Sequence, residues 1–188
     1  MKIKLRSLLL IVLSIFMIGL VGCGNDKASS DNNNSSSDTA TTKEEYVKYL
    51  NDRYTHHLGN SALSNDYNIY SDNYSFKGTN EEFITGYGTA YGDLRTQLTS
   101  LKKDLETNVK KGTTEVDKLN KDVMDSIDKT IASIDKFNET YSTKVKDYGS
   151  STKEEMITGF KDIGKAPHDA RMELDKLVKD AKNTLGVK

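Results

Sequence analysis

The chain has 188 residues, with 27 Lys and Arg against 28 Asp and Glu, a formal net charge of −1, one cysteine, one proline and no tryptophan. Charge this evenly balanced argues against nucleic acid as a partner, which needs a clustered basic surface. A single cysteine cannot form an internal disulfide, so the fold must be held by packing.

The N-terminal stretch reads MKIKLRSLLLIVLSIFMIGLVGCGND. Lys2, Lys4 and Arg6 make a basic start, and Leu8 to Gly22 is apolar or small except for Ser14. That is the layout of a secretory signal over residues 1–22. The apolar run falls short of the ~20 residues a spanning helix needs. Leu20, Val21, Gly22 and Cys23 resemble the lipobox of bacterial lipoproteins. The resemblance implies a diacylglyceryl group on the Cys23 thiol, cleavage just before it, and a protein anchored on the extracytoplasmic face of the cell membrane. The chemistry fits the residue, because a thiolate is the nucleophile for lipid transfer. Loss of residues 1–22 removes three basic side chains and leaves 24 against 28 acidic ones, which moves the chain further from nucleic acid.

Residues 23–42 follow as the lipidated cysteine and a flexible tether. From Gly24 onward this stretch holds no large apolar side chain, so it cannot bury enough surface to offset the entropy of ordering. Its expected reach is ~25 Å for a Gly/Ser-like chain of this length. The Asn/Ser-rich tether and the many lysines suggest a Gram-positive cell surface.

Residues 43–188 are expected to form a helical domain. TKEEYV, TNEEFI and TKEEMI, beginning at Thr42, Thr79 and Thr152, each pair a threonine with a glutamate three places on. This is capping-box spacing, in which each side chain satisfies a free backbone amide of the other. A plainer start lies at Thr113. The second and third copies match further, as TNEEFITGY against TKEEMITGF, which points to duplication; convergence on capping chemistry gives the same architecture.

Between the starts, apolar residues recur at helical spacing. Ile84, Tyr87, Tyr91, Leu94, Leu98, Leu101 and Leu105 form a coiled-coil-like heptad seam. Val116 through Tyr148 forms a second stripe, and Met156 through Leu185 a third with Pro167 in its missing slot. A kinked helix is expected there, or a loop and fresh start. The first segment is broken by LGNSALSND, so two shorter helices or one helix broken at Gly59 are expected. Short links make long neighbours antiparallel. The fold class is therefore all-α: an elongated antiparallel bundle of four helices, or three with a broken first one. Its thin apolar stripes leave self-association open.

Chemistry is sparse. No Glu-x-x-His, Gly-x-Ser-x-Gly or phosphate loop occurs. Asp52 and His56 share a helix face, but two ligands do not close a metal site, and His56, His57 and His168 are expected to be exposed polar residues. No catalytic residue, cofactor or metal is expected, and the chain is read as a non-enzyme. GYGTAYG, residues 86–92, is expected to permit close packing. Tyr67, Tyr70 and Tyr74, near Tyr87 and Tyr91, are the candidate contact for a protein or cell-wall partner; an inward end-cap of the core is the structural alternative. The expected function is a surface interaction domain. The alternative is a small-ligand receptor with a pocket at the Gly86–Gly92 or Pro167 break.

Overall fold

The structure is a computed structural model that describes residues 40–188. Expectations for the signal segment, for Cys23 and for nearly all of the tether lie outside those residues. Four helices form: α1 (Lys43–Leu58), α2 (Asn80–Asn108), α3 (Thr114–Tyr148) and α4 (Lys153–Thr184). Among the described residues there is no strand, only an isolated bridge between Thr41 and Gly112.

Every expected helix start is capped by its threonine. Thr42, Thr79 and Thr152 accept from the backbone amides of Glu45, Glu82 and Glu155, and each glutamate carboxylate accepts in return from the cap amide. Thr113 caps α3 without the reciprocal bond. The three glutamates are held below the usual carboxylate range by these bonds to the cap threonine, first to its backbone amide and then to its hydroxyl.

The helices run up, down, up and down. Arg95 pairs with Asp135 and Lys102 with Asp128 across α2 and α3, the opposed numbering of an antiparallel pair. α3 packs most extensively on α4, while α1 packs on α2 and α4. The core divides by residue type along the bundle. Leu50, Leu98, Leu101, Leu105, Val116 and Val123 fill the half where α1 lies. Phe83, Tyr87, Tyr91, Phe137 and Phe160 fill the other, with rings in mutual contact at centroid distances of 4.1 to 5.9 Å.

The first arm breaks at Gly59, as one of its two expected forms had it, but no second helix follows. α1 stops at Gly59, and residues 60–79 form a strap of consecutive turns instead of a second helix. The cause is composition. Between Asn60 and Ser75 the strap carries ten Asn, Asp and Ser residues, whose side chains compete for local backbone groups and favour turns over helix. The strap is nonetheless anchored: Ile69 and Ser61 are buried, and the Tyr70 hydroxyl donates to the Lys161 carbonyl on α4 at 2.9 Å. Helix α1 is firmly attached as well, with Tyr46 and Leu50 fully buried.

Helix α4 continues through Pro167 without a loop. Proline has no amide hydrogen, so the Ile163 carbonyl loses its partner within the helix. The stripe does carry through the break, by way of Gly164 and Pro167, both buried, while Ile163 is only half-buried.

Candidate ligand-binding site

Two features of the sequence open a gap in the middle of the bundle. The first arm stops being a helix at Gly59, and α4 presents only Gly164, Pro167, Ala170 and Arg171 inward between Phe160 and Leu174. No large apolar side chain is fully buried in that stretch of α4. Tyrosines from α2 and the strap reach into it. A methyl group placed on Gly164 would meet the Oη atoms of Tyr87, Tyr70 and Tyr91 at 2.7, 3.0 and 3.2 Å, so three phenol groups converge on one turn of α4.

What the tyrosines leave unfilled is a cavity of about 160 Å³. Its walls are Tyr67 and Tyr70 of the strap, Tyr87, Tyr91 and Leu94 of α2, and Pro167, His168 and Arg171 of α4. Leu63, Ser64 and Asn68 of the strap and Met172 of α4 complete the lining. Ser64 and Met172 are exposed, so the cavity opens to solvent on their side. Met172 is also the one large apolar side chain that stands exposed among the described residues, and a flexible thioether suits an adaptable binding surface.

The polar groups here are poorly satisfied. The Tyr91 hydroxyl donates to the Gly164 carbonyl at 3.4 Å and the Tyr87 hydroxyl to Tyr91 Oη at 3.5 Å, both longer than an ordinary O–H···O bond. Burial pushes Tyr87 and Tyr70 far up and Tyr91 to about 12, so all three keep their protons at neutral pH. His168 stacks on Tyr70 at 3.8 Å, and burial lowers its pKa, which leaves the ring neutral at pH 7.

Arg171 is the one cation in the lining, and it is 8% exposed. Its Nε donates to Asp175 at 2.6 Å and lies 3.2 Å from the Tyr54 hydroxyl, which itself donates to Asp175. These contacts tie α1 to α4. Burial lowers the guanidinium to about 10 and raises the Asp175 carboxyl to about 6. Both groups are therefore charged at pH 7, where their contact favours the ionised pair.

The three tyrosines singled out in the sequence lie half-buried. Tyr67 packs against Phe76, Phe83 and Tyr87, Tyr70 against His168, and Tyr74 against Phe83. Tyr67 and Tyr70 become cavity walls; Tyr74 stands aside from the cavity with its hydroxyl buried and unpaired. Gly86 and Gly88 do permit close packing, of the Tyr67 and Tyr141 rings respectively, whereas Gly92 faces open space.

Two of the three histidines depart from expectation. His56 is exposed, but His57 turns toward α2 and bonds Asp104 at 2.9 Å, and His168 is stacked. Asp52 pairs with Lys48 and not with His56. Among the described residues no three His, Cys, Asp or Glu side chains come together as metal ligands.

Sequence reasoning missed Arg171, Asn68 and Ser64. The signal for Arg171 was its place on the inward stripe of α4; nothing local marked the strap residues. Comparison with protein families, curated proteins and solved structures finds no match for the chain in any of the three.

Proposed function

We propose that the chain is a membrane-anchored extracytoplasmic lipoprotein whose helical domain works by binding, not catalysis, and holds a small ligand in the cavity between the strap, α2 and α4. The observation that carries the ligand reading is the cavity itself, half-open and walled by aromatic rings, with under-bonded hydroxyls and a buried guanidinium converging on it. A concave, largely apolar site with a few convergent polar groups is the usual form of a small-molecule pocket. The lipobox-like Leu20 to Cys23 supports the location outside the membrane. Tyr67 and Tyr70 serve this reading better as walls than as a docking patch for a protein or envelope partner, since their faces are already taken by Phe76, Phe83 and His168.

The test is retention of a native ligand. The full chain is purified from its own membranes beside a Ser64→Trp variant, which closes the mouth from an exposed strap position, and the molecules released on denaturation are compared by mass spectrometry. A compound enriched in the parent and lost from the variant supports the reading. Identical released sets contradict it.

A further inference from the structure

The cavity's ligand class can be read from the donors it leaves unused. Arg171 has five N–H groups. The one on Nε is committed to Asp175 and Tyr54, and the four on its terminal nitrogens have no hydrogen-bond partner among the described residues. The residue is 8% exposed and lines the cavity, while Asp175 does not. The terminal N–H groups are open to a guest and not sealed in the core, and a carboxylate matches their geometry with two parallel bonds.

Size and shape supply the rest. About 160 Å³ is room for roughly one six-membered ring, close to the volume of a cavity known to take benzene. Tyr67, Tyr87 and Tyr91 line the cavity and give a flat guest aromatic walls to pack against. His168 is neutral and adds no second cation, so Arg171, which Asp175 holds through Nε, is the one cationic donor group the lining offers an anion. We infer that the cavity takes a single-ring aromatic carboxylate, its ring among the tyrosines and its carboxylate on the terminal nitrogens of Arg171.

This inference rests on the ligand-binding reading above, and the test separates the two. Three probes are titrated calorimetrically into the full chain in detergent: benzoate, its neutral isostere benzamide, and acetate, which has the charge without the ring. Benzoate should bind at least about tenfold more tightly than benzamide, and acetate should give no measurable heat up to about 10 mM. Arg171→Lys keeps the charge but loses the planar fork and should erase most of the preference for benzoate. Ser64→Trp, at an exposed position outside the core, should abolish binding of both rings while helical circular dichroism stays unchanged. Benzamide binding as well as benzoate overturns the carboxylate assignment and leaves the cavity reading standing. No binding of either ring, by a folded parent chain, overturns both.

Discussion

Gly86 and Gly92 lie on the same helix six residues apart, yet alanine should act on them in opposite directions. Replacing a helical glycine with alanine is worth ~1 kcal/mol in favour of the folded state where space allows. A methyl group on Gly92 meets nothing within 4 Å, so Gly92→Ala should realise that gain. On a domain of this size it raises the thermal midpoint by ~2–4 °C. A methyl group on Gly86 would lie 1.6 Å from the Tyr67 hydroxyl oxygen and 2.4 Å from Cζ, so the whole ring must move. Tyr67 would then lose its edge contacts to Phe83 at 5.7 Å and Tyr87 at 6.2 Å. Overpacking of this kind costs ~1–3 kcal/mol, which cancels or exceeds the helix gain. Gly86→Ala should therefore melt at or below the parent, and ~1–3 kcal/mol below Gly92→Ala. Thermal unfolding by far-UV circular dichroism measures both. If Gly86→Ala stabilises as much as Gly92→Ala, the strap does not pack its tyrosine onto α2 and the cavity loses a wall.

Breaking the Arg171–Asp175 pair by Asp175→Ala leaves a buried guanidinium without its counter-charge, and should cost ~3–5 kcal/mol in denaturant unfolding. Thr79→Ala and Thr152→Ala should each cost ~1 kcal/mol in denaturant unfolding by loss of the cap. Glu45, Glu82 and Glu155 are held below their ordinary pKa of 4.5 in the folded state. Their contribution is thus present at neutral pH and lost as the pH falls below about 4.5 through the folded-state values. Unfolding midpoints measured across that window should fall with acid, and less steeply once all three threonines are alanine.

The helix starts were legible because capping is local: three residues carry the whole motif, and Thr42, Thr79 and Thr152 each close it. The stripes of α2 and α3 were legible because periodicity reports burial, with local slips: Phe83 and not the neighbouring Ile84 enters the core from α2, and Thr130 is buried more deeply than Ile131 in α3. The strap was misread for a physical reason. Leu63, Tyr67, Tyr70 and Tyr74 keep helical spacing, but the Asn, Asp and Ser residues between them hold the backbone in turns, and the tyrosines find partners on α2 and α4 that spacing does not reveal. The cavity arises from a coincidence of two distant segments, the end of α1 and the small inward residues of α4. The break at Pro167 was visible as a place for a pocket. The place of Arg171 on the inward stripe of α4 was legible, but its contact with the Tyr54 hydroxyl followed only from the packing of α1 on α4.

On the function proposed above, this pocket stands on the outer face of a membrane, held by lipid on Cys23, an address that decides which ligands it can meet. Intact-mass spectrometry of the protein extracted from its own membranes tests it most directly. The predicted result is a chain that begins at Cys23 and carries at least a diacylglyceryl group. A chain that still begins at Met1, with an unmodified Cys23 thiol, would contradict it.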